Sequence, residues 1–199
     1  MRILLDKSPR HIAEYTERYG HDFGQLRTPL TRNKIADTDW ALDNGCFSGG
    51  LSPAWTRMVE EAQKHAAMWV ALPDIVGSAR RTLELFAYFE RETAGVKRAL
   101  VLQDGIGDVT IPWRKIDAVF IGGSDAFKIA PEAIQAAKCA KMIGKSVHVG
   151  RVNEPKRVRN WIDLADTIDG SGISMYDHML EAVLATINGT HPQQQLAVA

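Results

Sequence analysis

Residues 118–150 read AVFIGGSDAFKIAPEAIQAAKCAKMIGKSVHVG, and their order decides the fold class. Ala118 to Ile121 is a short apolar run of strand-forming residues closed by Gly122-Gly123. Pro131 then stands at a first helical position, and the segment to Met142 reads as a helix stopped by Gly144. Ser146 to Val149 is a second apolar run, closed by Gly150-Arg151-Val152-Asn153. Strand, helix and strand in that order form a right-handed βαβ unit with parallel strands.

The same grammar extends in both directions. Trp40-Ala41-Leu42 ends in Asp43-Asn44-Gly45, and residues 68–72 end in Pro73-Asp74. Residues 99–102 end in Gln103-Asp104-Gly105, and Thr167-Ile168 ends in Asp169-Gly170-Ser171-Gly172. Arg2 to Leu5 is a first strand. Helices are expected from Ser8-Pro9 to Gly20, from Ser52-Pro53 to about residue 67, and from Ser78 to Thr93. Two more are expected from Pro155 and over residues 176–187. Only a short connection holding Pro112-Trp113 follows Gln103. Residues 21–39 are polar and aperiodic and read as a long excursion, of a length that usually serves function.

Seven strand candidates result, one short of a full barrel. Alternation alone fits an open doubly wound sheet as well as a closed barrel. A GxGxxG after the first strand is absent, and so is a Walker A pattern. The expectation is an α/β chain forming a small, partly irregular (β/α)8 TIM-type barrel, with the open sheet as the alternative. One domain is expected over 1–190, with residues 191–199 as a flexible tail.

Composition narrows the class. With 199 residues, 45% of them hydrophobic, the chain can bury a substantial core. Lys plus Arg and Asp plus Glu balance at 24 each, which argues against binding nucleic acid by bulk charge but not against a local basic face. Arg80-Arg81 and the run Lys156-Arg157-Val158-Arg159 are candidates for such a face or for solvated helix surface. The two cysteines, Cys46 and Cys139, suggest no disulfide scaffold. The six His and two Cys lack metal-ligand spacing, so no metal and no cofactor are expected. No signal-like or membrane-spanning run is seen, and a cytoplasmic location with no membrane partner is expected.

Parallel barrels assemble their sites at the C-terminal strand ends. The punctuation residues therefore read as pieces of one pocket. Asp43 and Asp169 each follow an apolar run and precede a glycine. As a pair they suit a nucleophile and a general acid/base; singly, each suits a turn-capping Asp. Asp74 and Gln103 match the donor and acceptor edge of a guanine-type ring. Gly122 and Gly123 would let a flat ring approach the backbone and offer N–H groups, or they simply make a tight turn.

In this order the motifs resemble the tRNA-guanine transglycosylase superfamily, and phrases such as ALDNGCFSGG, LVLQDG, VFIGGSDAFK and VHVGRVN are similar to its phage and bacterial branch that inserts 7-deazaguanines into DNA. The resemblance covers roughly residues 25–175. It implies Asp169 as covalent nucleophile and Asp43 as acid/base. It implies base recognition by Asp74, Gln103, Gly122 and Gly123. Asn44, standing where the tRNA pattern has Ser, belongs to the same substrate-binding group. Lys128, His148 and Arg151, with Asn153, lie near strand ends and are candidates to hold phosphate or sugar. No cysteine follows Asp169, so the zinc subdomain of the tRNA enzymes is not expected. The implied activity is exchange of guanine for a 7-deazaguanine in DNA through a glycosyl-aspartate. Alternatives are N-glycosidic hydrolysis, exchange on nucleosides or tRNA, and a non-catalytic barrel that binds a nucleobase or a protein. Expected partners are DNA before tRNA, a guanine or 7-deazaguanine base, and a second copy or partner subunit.

Overall fold

The computed structural model describes residues 1–189, so the expected tail at 191–199 lies outside the described residues. Eight parallel strands close into a barrel in sequence order. They are β1 (Arg2–Leu5), β2 (Gly24–Arg27), β3 (Trp40–Leu42), β4 (Val70–Ala71), β5 (Arg98–Leu102), β6 (Ala118–Ile121), β7 (Ser146–Val149) and β8 (Thr167–Asp169). Closure is made by β1 on β8, with Ile3 opposite Ile168 and Leu4 opposite Asp169. The helices are α1 (Pro9–Tyr19), α2 (Ala54–Lys64), α3 (Ala79–Phe89), α4 (Pro131–Met142), α5 (Pro155–Trp161), α6 (Ser171–Met175) and α7 (Asp177–Ile187). The (β/α)8-type barrel is the fold expected from the sequence.

Strand side chains alternate between two cores. Leu4, Leu26, Ala41, Ala71, Ala99, Val101, Ala118 and Phe120 fill the barrel interior with Trp69. Small residues on β3, β4, β5 and β6 make room for two large rings, Trp69 and Phe120, whose centroids lie 5.7 Å apart. The alternate residues, among them Ile3, Leu5, Leu100, Leu102, Val119, Ile121, Val147 and Val149, pack outward under the helices. Helix α4 lies close because its buried face is Ala133, Ala136, Ala137 and Ala140.

The strand missing from the sequence reading is β2, inside the supposed excursion. No helix follows it before β3; residues 28–39 cover its outer face instead. An irregular segment cannot satisfy its own backbone, so the strand beneath must supply partners. Gln25 does this, donating to the carbonyls of Lys7 and Lys34 at 2.8 and 2.9 Å and accepting from the Ala36 N–H at 2.9 Å. Arg27 donates to Asn33 O and to Glu61, and lies over the Trp40 ring.

Two smaller departures matter. Between β5 and β6 there are only 3₁₀ turns, at Ile106–Asp108 and Trp113–Lys115, and Trp113 packs on the outer core. Helix α6 was not expected. Asn153 makes it, its side-chain oxygen accepting from the N–H groups of Gly172 and Ile173 at 2.8 and 3.2 Å. No described helix is long and apolar enough to cross a membrane.

Candidate active site

The C-terminal mouth of the barrel holds a cavity of about 290 Å³ to which every strand end contributes. Asp6 follows β1, Thr28 follows β2, and Asp43 and Asn44 follow β3. Asp74 and Gln103 follow β4 and β5. Gly122, Gly123 and Lys128 follow β6, Gly150 and Arg151 follow β7, and Asp169 closes β8. The volume is at the lower end of small-molecule sites.

On the β3–β5 side the chemistry is amide and carboxylate. Asn44 donates to Leu72 O at 2.7 Å and to Asp74 Oδ1 at 2.8 Å, while its own oxygen accepts from the Cys46 N–H. Gln103 donates to Asp74 Oδ2 at 2.6 Å and accepts from the Gly77 N–H at 2.9 Å. Asp74 is thus gripped on both oxygens by buried amides. Burial pushes its carboxyl pKa up, against the pull of those two hydrogen bonds. Burial also raises Asp43, to about 7, with the negative charges of Asp169 and Asp74 adding to the effect. Cys46 is pushed up to about 11 by burial, which makes it a poor thiolate.

The β6–β8 side is cationic. Lys128 sits on a 3₁₀ turn (Phe127–Ile129), buried, with Nζ donating to Gly150 O. Burial lowers it to about 7, helped by the nearby Arg151 and opposed by Asp169. Arg151 has a left-handed backbone, φ 59°. Its guanidinium donates to Gly123 O and lies 4.2 Å from the ring centroid of the exposed Phe47. Asp169 Oδ1 accepts from the Arg151 N–H at 3.3 Å and meets His148 Nε2 at 3.0 Å.

The fold therefore gathers Asp43, Asn44, Asp74, Gln103, Gly122, Gly123, Lys128, Arg151 and Asp169 around one cavity. His148 is the exception. It is wholly buried in the barrel interior between Trp69 and Phe120, where phosphate or sugar cannot reach it. Lys128 and Arg151 are tied to backbone carbonyls, and Asn153 is a helix cap. The Gly122 N–H, expected to serve a ligand, instead donates to Leu102 O. A Cβ at Gly122 would come within 2.7 Å of Val101, and at Gly123 within 2.8 Å of Asp104, so the pair also makes the tight turn.

Sequence reading missed Asp6. It stands directly after the apolar run Ile3-Leu4-Leu5, the same signal that located Asp74. Its carboxylate accepts from Thr31 and Asn33 of the excursion at 2.7 and 2.9 Å, and burial raises its pKa. The excursion is thereby fastened across the mouth.

No family model matches the chain, and no curated protein matches it. Among solved structures, "Native KDPGal structure" is 13% identical over 96% of this chain and 93% of its own, with a TM-score of 0.53. A protein from Aquifex aeolicus VF5 is 14% identical over 77% of this chain and 58% of its own, with a TM-score of 0.38. The first likeness shows the fold. That neighbour is a KDPGal structure and not a tRNA-guanine transglycosylase, which overturns the resemblance drawn from the motifs and the base exchange in DNA drawn from it. The physical reason lies in the topology. In a barrel whose strands run in sequence order, polar residues at successive strand ends fall in order for any chemistry. Their order specified the barrel and not the reaction.

Proposed function

We propose that this chain is an enzyme that performs acid/base chemistry on a small, planar, donor-rich ligand, for which a guanine-type heterocycle is the model. One observation carries it: Asp43, held near pH 7, shares a single cavity with a second carboxylate, Asp169, and with the amide-gripped Asp74. A general acid works best with a pKa near the working pH. In this reading Asp43 carries the proton, Asp169 supplies the opposing carboxylate, and Asp74 accepts from ring N–H and amine donors. Because Asn44 and Gln103 fix both Asp74 oxygens, little reorganisation is left for binding.

Calorimetric titration with guanosine and inosine tests it, since inosine lacks the exocyclic amine. Guanosine is expected to bind at least tenfold more tightly, with proton exchange seen as a buffer-dependent enthalpy near pH 7, and Asp43→Asn is expected to remove that exchange. Equal binding of the two nucleosides, or none, overturns the ligand class.

Lys128 favours a second reading, carbonyl chemistry. A buried amine lowered to about 7 is a nucleophile at neutral pH. Its nitrogen would attack a ketone carbon, forming a C–N bond, and loss of water would give an imine. Borohydride with pyruvate then leaves a stable adduct on Lys128, found by peptide mass mapping. An unmodified Lys128 rules this reading out.

A further inference from the structure

We propose that His148 is a positioning residue that holds Asp169 as a hydrogen-bond acceptor facing the cavity; this rests on the role given to Asp169 above. Three observations on three strands converge. His148 Nε2 lies 3.0 Å from Asp169 Oδ1, and its Nδ1 lies 2.8 Å from Thr167 Oγ1. The ring is wedged between Phe120 of β6, centroid 4.4 Å away, and Trp69 beside β4, centroid 4.8 Å away. It has no exposed surface, whereas Asp169 does.

The chemistry of those contacts fixes the proton. A carboxylate only accepts, so Nε2 carries hydrogen and donates to Asp169. In the neutral ring Nδ1 is then bare and accepts from the Thr167 hydroxyl. Thr167, His148 and Asp169 form a chain in which each member orients the next, and the two aromatic rings prevent the imidazole from turning. The His148 contact and the Arg151 N–H both fall on Oδ1. Oδ2 has no protein hydrogen bond among the described residues, which leaves it as the oxygen that serves a ligand.

Ring-nitrogen NMR on histidine-labelled protein tests the chain without any substrate. The expected spectrum shows His148 protonated at Nε2 and bare at Nδ1, with Thr167→Val shifting the Nδ1 resonance. A ring protonated at Nδ1 and bare at Nε2 overturns the proposal. A second measurement follows the Asp43 carboxyl by carbon NMR. His148→Phe keeps the aromatic packing and removes the donor, so the Asp169 carboxylate is free to turn and its charge no longer stands at a fixed distance from Asp43. The Asp43 midpoint is then expected to move by about one pH unit, while His148→Gln, which keeps an N–H donor, stays nearer the wild type. An unchanged midpoint in folded His148→Phe overturns the proposal. If that variant does not fold, the ring spectra of the wild type and of Thr167→Val still decide. Guanosine binding enters neither measurement, so failure of the ligand reading remains separately visible.

Discussion

The two halves of the mouth solve opposite electrostatic problems. On the β3–β5 half, Asp74 is held by side-chain amides and Asp43 by backbone N–H groups, with the negative charges of Asp169 and Asp74 acting on Asp43, and burial drives both carboxyls toward the protonated form. On the β6–β8 half, one carboxylate, Asp169, is set among Lys128, Arg151 and His148, and it is the amine that yields its proton. A cavity of this size cannot hold two charged acids and a charged amine cheaply. Dividing the rim lets a carboxyl and an amine change charge near the same pH while sitting on opposite walls.

The sharpest way to break this contrast is Asp74→Ala. It leaves the buried Asn44 and Gln103 amides without their shared acceptor, and about 3 kcal/mol of stability should be lost in denaturant unfolding. A loss under about 1 kcal/mol would mean that the amides find other partners and that the half is not a unit.

The next effect is a pH dependence with two limbs. Asp43 titrates at its ordinary 3.8 when unfolded and about 7 when folded. The native state thus holds the extra proton between those values, and stability falls as pH rises through that window. Lys128 titrates at 10.5 when unfolded and about 7 when folded. The unfolded chain holds the extra proton there, and stability rises with pH above 7. The site therefore contributes least near neutrality, with slopes of at most about 1.4 kcal/mol per pH unit, less for the partly accessible Asp43. Asp43→Asn should flatten the acid limb alone and Lys128→Met the alkaline limb alone. Loss of both limbs in either variant would show the halves to be one coupled group.

A smaller effect is expected from Arg151→Ala, which removes the contacts to Gly123 O and the Phe47 ring. About 1 kcal/mol should be lost, and the Lys128 midpoint should rise because a neighbouring positive charge has gone. A midpoint that stays put would assign the depression of Lys128 to burial alone.

How much of this was legible in sequence depended on what covers each strand. The β6–α4–β7 unit is covered by a helix that satisfies its own backbone, so the outer strand positions Val119, Ile121, Val147 and Val149 are apolar and the pattern is plain. Strand β2 is covered by a loop, and its outer positions Gln25 and Arg27 are polar because the loop needs partners. Its only large apolar residue is the inward Leu26. Periodicity measures apolar contact, so a strand that stabilises its cover by hydrogen bonds is invisible to it. The same blindness hid Asn153 as the cap that makes α6, a contact between the ends of two strands. Asp6 was legible and went unread. The cavity residues were legible as strand ends, but the chemistry among them depends on side-chain direction. That direction sent His148 inward, away from the group it was assigned to.

The seam between β1 and β8 carries a consequence for how the molecule comes to exist. Leu4 pairs with Asp169, so the strand made early waits for one made late. On a ribosome the growing sheet has two open edges throughout, and loop-closure entropy delays the last pairing. Asp6 and Asp169 become neighbours in the cavity only when that pairing forms. A finished cavity is thus also a mark of a finished chain: a nascent or clipped chain can own most of the cavity side chains and still have no closed pocket.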